Sequence, residues 1–487
     1  MAAYLPKDGA QWALRRDRAL KNPVLRRNLI DVTRRLSAAR LKAYRDYPPA
    51  ETMRQQAKVR KRDAVAHLDT HLDSLERVLT ERGVHVVRAQ GARDVAAYVL
   101  DVARRRGARR VVKSKSMVTE ELDLNERLAA EGLAVRETDL GEYIIQLAGE
   151  RPSHILIPAA HRNRQEIWSL FQEEAGSRQA DPPPSDSVGD LTAFARRELR
   201  TEFLAADIGI TGANFLVAET GTVVLVTNEG NGDMVSSLPP VHIVVAGVEK
   251  VVATWDDFIA VVQQPAMSGI GQRLSAYTTL ISGPREPGQV EGPEELHLVL
   301  VDNGRRGLLG TEYEDVLSCI RCGACYNVCP VYRQVGGHAY GTVYGGPIGA
   351  VETPLLAGLK FMPELPQALC TLCNACVEAC PMDIALPHHF ITLRRTLVED
   401  GSESWGKRLT YAVWARLWAR PGGFGRFVRW SRRGQRAAMR GGRLVRAPGL
   451  VGGWFTPRDM PPVAAETFHE WWARRRSENG NAGGDPA

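Results

Sequence analysis

Along the first eighty residues, apolar side chains return every third or fourth position. "RRNLIDVTRRLSAARLKAYRDY" and "DAVAHLDTHLDSLERVLTERG" carry this period, which lays one apolar stripe along a helix, and Gly83 ends the second. From residue 84 the pattern becomes short apolar runs separated by helical ones. "VHVVRA" predicts a strand, "ARDVAAYVLDVARRRG" a helix, "RRVVKSK" a strand, "TEELDLNERLAAEG" a helix and "LAVRETD" a strand. "HILIPA" predicts a further strand before the helix "NRQEIWSLFQEE". Strands alternating with helices of this length build βαβ units, and therefore a parallel or mixed sheet covered on both faces.

"ADPPPSDSVGD" interrupts the alternation as a surface connection within the domain. The pattern resumes with the helix "LTAFARRELRTEFLAA", then "ANFLVAETGTVVLVTNEGNG", "HIVVAGVEKVV" and "EELHLVLVDNG", and it stops near Gly310. "TEYEDVLSC" and "HHFITLRRTLVEDG" read as helices flanking a cysteine-rich region. Four segments follow: helices over 1–82, an α/β domain over 83–309, a mainly helical domain over 310–400 whose class its cysteines decide below as ferredoxin-like, and a tail over 401–487.

Composition narrows the class. The 487-residue chain is 44% hydrophobic and 24% charged, which fits a globular protein and excludes a disordered or fibrous one. It has no apolar run of spanning length and no secretory h-region. A cytoplasmic protein is expected, and there clustered cysteines read as metal ligands rather than as a disulfide framework. The net charge of +7 is concentrated: Trp405 to Arg476 carries 16 Lys/Arg against 3 Asp/Glu, which leaves 47 basic and 53 acidic residues elsewhere.

All eight cysteines fall in two matching runs, Cys319, Cys322, Cys325, Cys329 before Pro330 and Cys370, Cys373, Cys376, Cys380 before Pro381. Each is C-x-x-C-x-x-C-x-x-x-C-P. Short spacing lets three thiolates face one iron–sulphur cube, and the proline turns the chain away. Four-thiolate zinc sites are the alternative, but they bring together two distant C-x-x-C pairs and have no use for a third cysteine three residues on. In two-cluster ferredoxins the fourth cysteine of each run serves the other cluster. Applied here, one 4Fe-4S cluster takes Cys319, Cys322, Cys325 and Cys380, and a second takes Cys370, Cys373, Cys376 and Cys329. Between the runs, "GGHAYGTVYGG" offers His338 and Tyr340 as groups that either tune a cluster or simply pack.

The stretches "SHILIPAAHRNRQEIW", "ADIGITGANFLVAETGTVVLVTNEGNGDM", "CIRCGACYNVCPVYRQVGGHAYGTVYGGPIGAV" and "CTLCNACVEACP", in that order, resemble the lactate-utilisation iron–sulphur protein B family. The resemblance implies a LUD-type α/β domain similar to the isomerase and CoA-transferase group, followed by a two-cluster module. It further implies an electron-transfer component of a complex that oxidises L-lactate to pyruvate. The implied partners are a protein with cysteine-rich repeats and a second LUD-domain protein, with an unidentified electron acceptor. The alternative is an α/β domain that is itself catalytic on a small acid or thioester, with the clusters as electron outlet.

Within the α/β segment, Gly212, Asn214, Glu219, Thr220, Gly221, Asn228, Gly230 and Asn231 fall at strand ends and turns, where open α/β sheets bind ligands. The CoA-transferase likeness makes Glu219 a candidate carboxylate nucleophile or base. Lys113, Ser114, Lys115 and Ser116 end a strand with groups suited to a carboxylate or phosphate, and His161 with Arg162 and Arg164 offers a second anion candidate. Turns require Gly and Asn whatever the function, so a scaffold role stands beside each assignment. No G-x-G-x-x-G follows a first strand, so a dinucleotide site lacks support.

The tail mixes seven of the ten tryptophans with arginine at helical spacing. Docking to an acidic partner is favoured over peripheral contact with the inner membrane or simple packing, and nucleic acid is not expected. The final "SENGNAGGDPA" reads as disordered.

Overall fold

The computed structural model describes residues 12–401, 405–419, 421–444 and 460–480. The chain divides into two compact units, Met1–Glu399 and Asp400–Ala487.

In the first unit the strands are β1 (His85–Ala89), β2 (Arg110–Lys113), β3 (Ala134–Glu137), β4 (Ile208–Thr211), β5 (Phe215–Val217), β6 (Thr222–Thr227), β7 (Val241–Gly247), β8 (Val251–Val252), β9 (Tyr277–Ile281) and β10 (Glu295–Val301). Six form one parallel sheet in the order β1-β10-β7-β4-β2-β3. β7 lies inside it with all seven residues buried, which is why "VHIVVAG" is apolar on both faces rather than alternating, except at His242, whose Nε2 pairs with the Thr211 hydroxyl at 2.8 Å. A smaller sheet, β8-β5-β6-β9, is antiparallel except for the β5–β8 pair.

Strand order sets where a ligand can sit. The chain passes from β2 outward to β3, returns to β4 on the other side of β2, and then continues to β7 and β10. Connections leaving β2 and β4 therefore diverge, and a crevice opens beyond their carboxyl ends.

Four local expectations are corrected. "HILIPA" is not a strand, because His154 Nδ1 accepts the N–H groups of Leu156 and Ile157 at 3.1 and 3.3 Å and turns the backbone. "TEELDLNERLAAEG" splits into helices Met117–Glu121 and Leu124–Ala130 at Asp123, which takes a left-handed φ of 48°. "TEYEDVLSC" forms only a 3-10 turn, Glu314–Ser318. Of the terminal segment expected to be disordered, residues 477–480 continue the last helix, and 481–487 lie outside the described residues.

The N-terminal helices are α1 (Trp12–Lys21), α2 (Pro23–Arg45), α3 (Ala50–Ala66) and α4 (Leu68–Glu81). α2 starts where Asn22 caps the Leu25 N–H and Pro23 fixes the first turn. α4 lays Leu68, Leu72, Leu75 and Leu79 against Leu296, Leu298 and Leu300 of β10. α2 and α3 instead grip the cysteine-rich region by its carbonyls. Ser37 donates to Asn327 O at 2.9 Å, Arg54 to Cys380 O at 2.8 Å and Arg62 to Asp383 O at 2.9 Å. The helical, α/β and cysteine-rich segments thus pack as one unit.

The two cysteine runs have the same local fold. Arg321 and Leu372, each just before the second cysteine, have φ of 61° and 57°, and Gly323 and Asn374, just after it, 70° and 67°. Short helices follow, Ala324–Val328 and Ala375–Ala379. Left-handed non-glycine residues cost about 1 kcal/mol each, so their recurrence at matching positions indicates a conformation selected for what the sulphurs hold.

Helix Trp255–Ile270 closes on this region from the α/β side. A Cβ at Gly269 would lie 2.4 Å from the Cys322 carbonyl oxygen. Gly269→Ala is therefore expected to push the first cysteine loop outward and lower the iron bound per chain, with secondary structure preserved by circular dichroism.

The second unit contains helices Trp405–Trp418, Pro421–Gly434 and Phe468–Gly480 and a minimal hairpin of Met439–Arg440 with Arg443–Leu444. Trp405 and Trp430 are 78% and 76% exposed. Among the described residues, no helix is long and apolar enough to cross a membrane.

Candidate metal centre and adjoining cavity

None of the eight cysteines is in a disulfide. Their side chains line two small cavities, and the runs contribute crosswise. Cys319, Cys322 and Cys325 meet Cys380 around one, and Cys370, Cys373 and Cys376 meet Cys329 around the other. The crossing follows from the short helix that carries the third cysteine of each run and ends just before the fourth. The two helices pack together, and each delivers its fourth cysteine to the neighbouring set.

The donor chemistry fits iron–sulphur clusters. Burial pushes the Cys329 and Cys380 thiols up to about 11 and Cys376 to about 12, so thiolates here depend on bound positive charge. Backbone N–H groups of Tyr332 and Leu372 point at Cys329 and Cys370 sulphurs at 3.5 and 3.3 Å, an arrangement that stabilises sulphur carrying negative charge. The two sets differ in access. Gly323 and Ala324 beside the first are buried, whereas Thr371, Leu372, Cys373 and Asn374 beside the second are exposed.

A larger cavity of about 450 Å³ occupies the crevice between β2 and β4. Ser114, Lys115 and Ser116 line it after β2, Gly212, Ala213 and Asn214 after β4, Asn228, Glu229 and Asn231 after β6, and Lys250 after β7. Ile155, Ile320 and Arg321 line both this cavity and the first cysteine cavity, so one layer of side chains separates them.

Charge in the cavity is incompletely paired. Lys115 Nζ is buried without a hydrogen-bond partner, and Glu142 Oε1 lies 3.9 Å away. Burial pushes the Glu142 carboxyl well up, which weakens it as a counter-ion. Burial, and then the Asp139 carboxylate beside it, push Glu229 up to about 7.

Behind the cavity lies a buried ion network. Arg305, fully buried, holds Glu121 at 2.6 Å and Glu249 at 2.7 Å. Tyr344 donates to Glu121 at 2.7 Å. Arg321 pairs with Glu352, lies 3.7 Å from Glu249 and stacks over Tyr344 at 4.4 Å. The network joins the β7 and β10 ends to the first cysteine loop.

The structure separates the sequence-derived candidates. Ser114, Lys115, Ser116, Asn214 and Asn231 come together in the cavity, with Gly212 and Asn228. Lys113 does not line it: it is buried against Glu137 at 2.7 Å and Glu120 at 3.2 Å. Glu219 is exposed and accepts the Trp255 N–H at 2.8 Å, which ties down the helix start. Thr220 and Gly221, with φ 55°, form the β5–β6 turn away from the cavity. Gly230 only starts helix Asn231–Ser237. His161 and Arg162 share Glu150 at 2.7 and 2.6 Å, and Arg164 opens helix Arg164–Arg178. His338 Nε2 pairs with the Arg151 carbonyl at 2.6 Å, so that nitrogen is taken by the backbone. Tyr340 is buried with its hydroxyl unpartnered.

Sequence reasoning missed Lys250, Glu229 and Arg321. A signal existed for the first: Glu249 and Lys250 interrupt the apolar run "VHIVVAGVEKVV" at a point where both prove buried.

Residues 72–301 match the LUD domain and residues 315–384 the 4Fe-4S dicluster domain. The chain is 42% identical over 463 residues to lactate utilization protein B of Bacillus licheniformis, covering 95% of this chain and 96% of that one. It is 41% identical over 460 residues to the Bacillus subtilis protein of the same name, covering 94% and 95%. It is also 40% identical over 459 residues to the uncharacterized electron transport protein YkgF of Escherichia coli, covering 94% and 95%. An α/β unit with a parallel main sheet, two crossed cysteine sets and near full-length similarity together place the chain in the lactate utilization protein B family, as an iron–sulphur protein with a LUD domain.

Proposed function

We propose that this protein is the iron–sulphur electron-transfer component of a lactate-utilisation complex that oxidises L-lactate to pyruvate, and that it holds two 4Fe-4S clusters. Cys319, Cys322, Cys325 and Cys380 hold one; Cys370, Cys373, Cys376 and Cys329 hold the other. When bound, such clusters supply one-electron storage and transfer, and with every iron ligated by protein they leave no open position for substrate.

The crossed arrangement of the two cysteine sets carries this reading. Their unequal access supports a direction: the first set faces the interior cavity, and the exposed Thr371–Asn374 loop of the second faces whatever exchanges electrons with the chain. The partners are the system's other two proteins, and the exposed tryptophans and arginines of the tail suit docking to one of them.

Anaerobic reconstitution of the full chain with both partners and lactate tests the reading. Electron paramagnetic resonance signals of reduced clusters, dependent on lactate and on both partners, are the expected result. Zinc without iron in the isolated chain, or no lactate-dependent reduction in the full system, rejects it. The second reading, an α/β domain catalytic by itself, is favoured by the cavity beside the first cysteine set; it requires lactate-dependent reduction by the chain alone.

A further inference from the structure

We infer that the cavity between β2 and β4 is a binding site for an organic anion, held by Lys115 and seated against the wall of the first cluster. The inference rests on the proposed function for the choice of probes and on this structure for the site.

Four observations converge. The cavity lies where the chain reverses direction across a parallel sheet, the position at which this architecture leaves room for ligands. At about 450 Å³ it is within the size range of small-molecule sites. Lys115 Nζ lines it, buried and without a hydrogen-bond partner, and leaving an ammonium in that state costs free energy that a bound anion recovers. Ile155, Ile320 and Arg321 form its wall with the first cysteine cavity, so a ligand there lies one side-chain layer from the cluster.

The polar groups suggest how an anion is held. Lys115, with Ser114 and Ser116 beside it, offers the charged contact. Asn214 and Asn228 are already committed to the Val226 and Ala276 N–H groups, at 2.9 Å each, and hold the loops in place. Toward the cluster the lining is apolar through Ile155, Leu156 and Ile320, apart from Arg321, whose guanidinium is paired with Glu352. Glu229 faces Asp139 and Lys115, and its protonation makes the cavity more favourable to an anion.

Two ligand sources share this chemistry. One is the acid pair of the proposed reaction, a 2-hydroxy acid and its 2-oxo acid. The other is a resident anionic redox cofactor, for which the volume leaves more room than a three-carbon acid needs.

Pyruvate and flavin mononucleotide, titrated separately into the anaerobically reconstituted full chain by calorimetry, distinguish them. One probe is expected to bind one per chain, about tenfold or more weakly in Lys115→Ala, since a charged hydrogen bond is lost. Ala213→Leu, which adds bulk at the cavity lining and keeps Lys115, is expected to abolish binding. Affinity is expected to fall as pH rises through about 7, and Glu229→Gln to flatten that dependence. Thr220→Ala, in the distant turn, serves as control.

No binding of either probe to iron-replete chain, or binding unaffected by both Lys115→Ala and Ala213→Leu, overturns the inference. Iron content and circular dichroism establish that each variant is folded. If neither probe binds while lactate still reduces the clusters in the full system, the site is wrong and the function stands. If lactate reduces nothing there, the function is wrong whatever the cavity binds.

Discussion

Replacing Cys319 and Cys380 together with serine is expected to leave one intact cluster and about four of about eight iron atoms per chain. Replacing Cys319 and Cys329 together, two residues of the same run, is expected to remove both clusters. The contrast follows from the crossed cavities: Cys319 and Cys380 face one void, whereas Cys319 and Cys329 face different ones. Without the crossing the two results would be exchanged. Iron analysis with electron paramagnetic resonance of the reduced protein reads the outcome directly. The variant lacking Cys319 and Cys380 keeps the cluster beside the exposed Thr371–Asn374 loop. Under the proposed function it therefore still exchanges electrons with small-molecule oxidants through the cluster that remains.

The second large effect concerns the buried ions. Arg305→Met is expected to destabilise the first unit by about 3–5 kcal/mol, because Glu121 and Glu249 are left buried without their cation. Denaturant unfolding followed by circular dichroism measures it. Burial acts to raise both carboxyls, and the Arg305 guanidinium overrides it, holding Glu121 below the ordinary range and Glu249 at about 2. A carboxyl lowered by folding stabilises above its unfolded value of 4.5, and that contribution is lost as pH falls toward the folded value. The wild-type chain should therefore lose stability between about pH 4.5 and 2 through this network, and Arg305→Met should lose less over the same interval. The cost of a buried network is offset if it fixes one arrangement of strand ends against the first cysteine loop. Arg321, lying 3.7 Å from Glu249 and bonded to Glu352, connects the two.

Much of the sheet was legible as pattern, because a strand buried on both faces is a mostly apolar run, as β7 and β10 are apart from His242, Glu295 and His297. "HILIPA" carries the same signal for a different reason. Ile155 and Leu156 are apolar because they wall the cavity, and two N–H bonds to His154 turn the chain there. Periodicity registers that a side chain is buried, not what it is buried against. The ligand candidates divided for a similar cause. Lys113 is the last residue of β2 and is ion-paired inside, whereas Lys115 lies beyond the strand, in the connection to helix Met117–Glu121, where strand alternation no longer sets its direction and it reaches the crevice. Glu219 sits in an equally suggestive "AETGT" turn, yet that turn belongs to the small sheet, and its carboxylate secures a helix start.

By itself the sequence determined the metal chemistry, since eight cysteines at this spacing and no others define the donor set through local covalent reach. It also determined the α/β class, through the alternation of apolar periods. Tertiary structure alone decided what adjoins what: that the β2–β4 crevice opens against Ile320 and Arg321 of the first cysteine run, and that Glu249, Arg305 and Arg321 form one network. These neighbours are separated by up to about two hundred residues along the chain. Their meeting depends on strand order and helix packing, which local pattern does not encode.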